Sequence, residues 1–191
     1  MNVPNAISFG RLLILTPLFV GVLLVFRDPL VALLVLIVLG ITYWADGFIA
    51  RRFGLITDLG KKLDPIADRV SQFVVCATLV LAGLVPLWMA IVLLVSDLVL
   101  GVTILVAKPG IVKVRWIGRL RTVLLMVGFP LLLLFESIAP DDAGLELFAL
   151  IVVGTGVVLH AIANLDYTIV TAREARGGSR DDTLVSPRPE G

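Results

Sequence analysis

The chain has 191 residues, of which 59% are hydrophobic and 16% charged, with a formal net charge of +1. Soluble domains run nearer half apolar with about a quarter of their residues charged, so this composition excludes an ordinary soluble domain and points to a membrane protein. The small net charge says little, because across a membrane the placement of Lys and Arg carries more than their sum, and no nucleic-acid partner is expected. The single cysteine, Cys76, excludes an internal disulfide and reads as a small buried hydrophobe. With no basic leader and no small-residue cleavage site, no secretory signal is expected.

Asn5, after Val3-Pro4, is an N-cap candidate for a helix from 6 or 7 to about 26, long enough to cross a bilayer. Arg27-Asp28-Pro29 breaks that run, and a second helix is expected over about 30–52. Along it Gly40, Gly47 and Gly54 recur every seven residues, placing small side chains on one helix side that permits close backbone approach. Residues 54–60 read as a short turn, and a third helix covers about 62–84. Val85-Pro86 turns into a fourth at 87–107, and Lys108-Pro109-Gly110 breaks again before a fifth at about 112–136. Pro140-Asp141-Asp142 makes a polar loop, and a sixth helix extends over about 144–173. Residues 177–191 lack apolar periodicity and read as a disordered cytoplasmic tail, which leaves 1–176 as the membrane domain. The expected fold is all-α and polytopic, with six transmembrane helices.

Six spans put both termini on one side. Arg51, Arg52, Lys61 and Lys62 flank the second loop, Lys108, Lys113 and Arg115 the fourth, and Arg173, Arg176 and Arg180 follow the last span. The remaining loops are acidic or nearly uncharged, so the positive-inside rule places both termini and the second loop in the cytoplasm.

That second loop joins the most polar stretch of the chain. Residues 43–68 hold four aspartates and four basic residues between hydrophobic flanks. An ionised side chain at mid-membrane depth costs roughly 2.5–3.5 kcal/mol on insertion scales, so such a cluster is a functional candidate. Asp64 and Asp68 are four apart and share one face of a helix. A helical hairpin closing at 54–60 brings Asp46 within reach of both. Three carboxylates meeting at the end of two helices suit a hard cation, since carboxylates together with substrate phosphates are the usual holders of Mg²⁺.

The spacing Asp46-Gly47-x2-Ala50-Arg51-x8-Gly60-x3-Asp64-x3-Asp68 resembles the motif of the CDP-alcohol phosphatidyltransferases, integral-membrane enzymes that join an alcohol to the phosphatidyl group of a CDP-linked lipid. The family pattern opens with an aspartate three residues earlier, where this chain has Tyr43. The resemblance implies that Asp46, Asp64 and Asp68 ligate Mg²⁺ or Mn²⁺, and that Asp68 is also the general base on the acceptor hydroxyl. Gly47, Ala50 and Gly60 match positions where small side chains let the cytidine diphosphate group approach the backbone, and Arg51 pairs with a phosphate or braces the carboxylates. A neutral phenol is a poor Mg²⁺ ligand at pH 7. Tyr43 therefore opens three outcomes: one metal suffices, another carboxylate substitutes, or the chain binds CDP-lipid without turnover. Arg11 either snorkels to the headgroups or, as the similar Pro-Asn…Arg entry of the family implies, faces the active-site cavity.

Lys113, Arg115, Arg119 and Arg121 form a second polar group. One reading is a positive-inside anchor with Trp116 in the interfacial belt. The other is a site for the phosphate of a phosphorylated acceptor, since Arg119 and Thr122 resemble a Gly-Lys-x-x-Thr pattern of the family with Arg for Lys. Asp97, His160, Asn164, Asp166 and Tyr167 read as groups that bond between helices rather than do chemistry. The resemblance implies a membrane enzyme, here of a bacterial cell membrane, taking CDP-diacylglycerol and an alcohol, and working as a homodimer. Glycerol 3-phosphate is the expected acceptor, with inositol phosphate or phosphatidylglycerol as alternatives. A transporter is disfavoured because the outer halves of the helices carry no polar path.

Overall fold

Local chemistry sets the helix ends in the computed structural model, which describes residues 10–53, 58–107 and 116–181, with side chains throughout except at 43, 44, 46–51, 53, 58–65, 107 and 174–181. The described residues form six helices and no strand: α1 (Arg11–Phe26), α2 (Pro29–Phe53), α3 (Asp58–Leu81), α4 (Leu87–Ala107), α5 (Trp116–Ile138) and α6 (Ala143–Asp181). In α1, wide π turns at Arg11–Leu15 and Val22–Phe26 flank an α-helical Thr16–Gly21. The Arg11 carbonyl accepts from both the backbone N–H of Thr16 and its hydroxyl, the latter at 3.1 Å. α1 stops where Arg27 turns left-handed (φ 52°). Asp28 then caps α2 by accepting from Val31 N–H at 3.0 Å, with Pro29 in the first turn where a missing N–H costs nothing.

α3 starts at Asp58 and ends at Leu81, earlier at both ends than the expected 62–84. The end has a clear cause. Gly83 takes φ +82°, its N–H donates to Val80 O, and Leu84 N–H reaches back to Leu79 O, a Schellman motif that a glycine after the helix favours. α6 is capped by Asp142, whose carboxylate accepts from Gly144 and Leu145 N–H at 2.9 and 3.1 Å. α6 runs to Asp181, past the expected boundary at 176.

Three stretches are long and apolar enough to cross a membrane: Leu87–Val106, Trp116–Ile138 and Ala143–Arg173. α1 and α2 contribute shorter apolar stretches, Arg11–Phe26 and Pro29–Thr42, and α3 begins polar. By length and composition, then, three of the six expected spans qualify among the described residues. Large side chains such as Leu13, Val25, Leu105 and Val106 are exposed, as befits helices with an apolar exterior as well as an apolar core.

Helix neighbours follow one another in a ring: α1 packs on α2, α2 on α5, α5 on α6, α6 on α4, α4 on α3, and α3 back on α1. The core among the described residues runs between these helices, with Phe19, Leu79, Leu93, Leu133, Val153 and Val157 among its fully buried members. α5 and α6 approach closely at Gly128, where an added Cβ would come within 2.7 Å of Val153 Cγ2 and 3.3 Å of its backbone. Gly156 answers from α6 against Leu125. Gly40 of the expected glycine face meets only Met126 Cε, at an ordinary 3.5 Å; Gly47 and Gly54 lie outside the described side chains.

Candidate active site

Continuous with the core, α1, α2, α3, α5 and α6 enclose a cavity of about 490 Å³. Its wall divides chemically. Arg11, Asp68, Arg69, Gln72, Arg121 and Thr122 make the polar part. Leu36, Leu39, Val75, Leu125, Met126 and Phe129 make the apolar part. A chamber of this kind takes a ligand with a charged head and a greasy body.

Arg11 is 5% exposed and its Nη2 donates to Asp68 Oδ1, tying α1 to α3. A few residues further along the same pair of helices, the hydroxyls of Thr16 and Ser71 lie 3.4 Å apart. Of the two readings of Arg11, the structure supports the cavity over the headgroups. Asp68, with its side chain 29% exposed, is the one motif carboxylate whose side chain is described, and it faces the cavity. Tyr43, Asp46, Gly47, Ala50 and Arg51 belong by their backbone to the last turns of α2, and Gly60 and Asp64 to the first turns of α3; their side chains lie outside the described ones. No cluster of three metal-type ligands occurs among the described residues. Asp68 brings a partly exposed carboxylate to the cavity wall, an oxygen donor of the kind a hard cation takes.

The basic group divides in a way the sequence does not announce. Arg121 lines the cavity, whereas Arg119 is exposed and away from it; Lys113 and Arg115 lie outside the described residues. Two residues apart on a helix means about 200° around its axis, so Arg119 and Arg121 cannot share a wall. Thr122 also lines the cavity and donates to Gly118 O at 3.1 Å.

Behind the cavity lies a polar network across four helices. Asp97 on α4 accepts from Arg69 on α3, and its Oδ1 lies 2.9 Å from His160 Nε2 and 2.7 Å from Asn164 Nδ2, both on α6. Asn164 Oδ1 in turn accepts from Arg121 on α5 at 2.6 Å. Asp97, His160 and Asn164 thus bond between helices as expected, but His160 also reaches the cavity wall. Arg69 and Gln72 escaped sequence reasoning. The signal for Gln72 was its helical offset, since positions 68, 72 and 75 fall on one face, whereas Arg69 lies about 100° round the helix at the edge of that face.

The sequence profile of the CDP-alcohol phosphatidyltransferase family matches residues 1–163. The chain belongs to the CDP-alcohol phosphatidyltransferase family. Among its relatives are a cardiolipin synthase (CMP-forming) of Streptomyces coelicolor, 33% identical over 187 residues, covering 92% of this chain and 85% of that protein. A CDP-diacylglycerol–glycerol-3-phosphate 3-phosphatidyltransferase of Escherichia coli is 33% identical over 156 residues, 77% of this chain and 85% of the other. A putative cardiolipin synthase of Mycobacterium tuberculosis is 36% identical over 137 residues, 70% of this chain but 65% of that protein, so the chain spans just under two thirds of the mycobacterial relative. For a phosphatidyltransferase, a chamber with acid and base groups at one end and an apolar wall at the other fits a lipid bearing a pyrophosphate.

Proposed function

We propose that this phosphatidyltransferase moves the phosphatidyl group of CDP-diacylglycerol to glycerol 3-phosphate, releasing CMP. The observation that carries the reading is the cavity in which the motif carboxylate Asp68 stands among Arg11, Arg69 and Arg121, with an apolar wall continuing from it. The acceptor hydroxyl oxygen forms a bond to the phosphorus of the phosphatidyl group while the pyrophosphate P–O bond breaks and CMP leaves. Asp68 takes the hydroxyl proton, which requires only that it stand within hydrogen-bond reach in the substrate complex. Arg11 holds its Oδ1 and so fixes the direction from which the carboxylate meets that proton. Asp46, Asp64 and Asp68 are the residues that hold magnesium or manganese, which when bound supplies charge neutralisation to the pyrophosphate. Gly47, Ala50, Gly60 and Arg51 receive the cytidine diphosphate head, and Arg121 receives the acceptor phosphate.

The same reading takes the chain as six spans in a bacterial cell membrane, with termini and site cytoplasmic, working as a homodimer. The basic residues at the motif end support the sidedness. Phosphatidylglycerol is the second acceptor to consider, favoured by the likeness to the Streptomyces cardiolipin synthase over 92% of the chain. Purified protein in vesicles with CDP-diacylglycerol and each acceptor in turn, read by CMP release, separates them. Phosphatidylglycerol phosphate as the main product supports the proposal, and cardiolipin formation with no use of glycerol 3-phosphate rejects it in favour of the second reading.

A further inference from the structure

Two polar side chains on the cavity side of α3 are bonded to α1. Asp68 accepts from Arg11, and the Ser71 hydroxyl lies 3.4 Å from that of Thr16. Gln72 lines the cavity beside them, yet its Nε2 is buried and has no hydrogen-bond partner among the described residues. A primary amide carries two N–H donors, and a buried donor with no acceptor costs free energy. Such groups are few in native proteins, and one in the wall of a chamber has room for an acceptor brought by a ligand.

Its level on α3 narrows the choice of acceptor. Asp68, Gln72 and Val75 follow one another on one face of the helix, and the four residues from Asp68 to Gln72 rise about 6 Å. The amide therefore stands one turn beyond the carboxylate, where Val75 continues the face as part of the apolar wall. A lipid with its reacting phosphorus at Asp68 and its hydrocarbon against that wall places its glycerol unit between the two. Phosphate oxygens end above this level, and the hydrocarbon below it offers no acceptor. The oxygens in between belong to the acyl esters.

We propose that Gln72 is a specificity-determining residue whose amide donates to an acyl ester carbonyl of the CDP-lipid, so that the cavity selects ester-linked over ether-linked chains. An ether linkage has no carbonyl and leaves the amide buried and unmet. A site built to hydrogen-bond one group discriminates against the analogue lacking it, because its own polar group then stays unpaired. This rests on CDP-diacylglycerol being the donor lipid, as proposed above.

The test varies the ligand as well as the protein. Detergent-purified natural chain and Gln72→Met are titrated calorimetrically, in magnesium, with CDP-diacylglycerol and with the CDP-dialkylglycerol of equal chain length, and thermal midpoints are recorded in parallel. The natural chain is expected to bind the ester lipid about fivefold more tightly than the ether, the size of one neutral hydrogen bond. Gln72→Met is expected to bring that ratio to about one by weakening the ester lipid alone. Equal affinities in the natural chain, a comparison that needs no variant, would overturn the proposal, as would the same fivefold ratio persisting in Gln72→Met. Phosphatidylglycerol and its dialkyl analogue make the third arm: discrimination there and not between the CDP-lipids would put the amide on an acceptor lipid and overturn the assignment to the donor. If neither CDP-lipid binds the natural chain, the donor reading itself fails and this proposal with it, whereas both binding alike rejects the ester contact alone.

Discussion

Arg11 on α1 and Asp68 on α3 form an ion pair at the polar wall of the cavity, with the guanidinium side only 5% exposed and the carboxylate 29%. It joins the first helix to the helix carrying the motif. Removing one member takes a counter-charge from the other at a buried or half-buried site, which is costlier than never having had the pair.

Arg11→Met is therefore expected to lower both stability and turnover. A drop of about 2–4 kcal/mol in unfolding free energy, taken at the low side of buried pairs because Asp68 is partly exposed, is the expected size. Arg11→Lys keeps the charge and should recover more of the stability than of the activity, since an ammonium cannot reproduce the planar guanidinium fork. Thermal unfolding in detergent, followed alongside CMP release, checks both.

Gly128 predicts a steric cost. A Cβ there would lie 2.7 Å from Val153 Cγ2, so Gly128→Ala should destabilise by about 1–3 kcal/mol as α5 and α6 are pushed apart. Val153→Ala in the same chain removes the nearest clash but not the 3.3 Å backbone contacts, so rescue should be partial. A double-mutant cycle on thermal midpoints reads the coupling; strict additivity would contradict the contact.

Gln72 lines the cavity, and its Nε2 is buried with no hydrogen-bond partner among the described residues. A buried donor left unsatisfied costs free energy until a ligand oxygen accepts from it. Gln72→Met keeps the volume and drops the donor. It should leave the thermal midpoint unchanged or raised while weakening substrate binding severalfold. A lower midpoint with unchanged binding would show that the amide is satisfied by the protein and not by a ligand.

Cys76 is wholly buried on α3 and is the single thiol of the chain. Maleimide should label the native protein negligibly and the denatured protein stoichiometrically, because accessibility governs a thiol of this kind. Rapid labelling under native conditions would place α3 differently from the ring described here.

Parts of this architecture were legible from residues alone. α4 reads identically from sequence and structure because Pro86 precedes it and Lys108-Pro109-Gly110 follows. The end of α3 was misread because Gly83 acts two residues beyond the helix, and an apolar run continuing through Leu84 hides it. Asp68 was visible through motif spacing, which is a property of one chain segment. Arg69, Gln72 and the division between Arg119 and Arg121 were not, since they depend on how each helix is rotated against its neighbours. The glycines show the same limit: the sevenfold spacing from Gly40 drew the eye, yet the tight crossing belongs to Gly128 and Gly156, whose partners are defined only by packing.

Tyr43 gives a test of the metal reading. Replacing it with aspartate restores the family's opening carboxylate and is expected to raise the metal-dependent rate at least tenfold, as a carboxylate is a far better magnesium ligand than a phenol. Equal rates in the two forms would mean that this position takes no part in metal binding.

The most direct measurement is CMP release from CDP-diacylglycerol with glycerol 3-phosphate in vesicles, for the natural chain and for Asp68→Asn, with magnesium and with chelator. The account predicts release by the natural chain that needs magnesium and falls at least a thousandfold in Asp68→Asn, the scale on which loss of a catalytic base is felt. Undiminished release by Asp68→Asn, or release that persists in chelator, would contradict it.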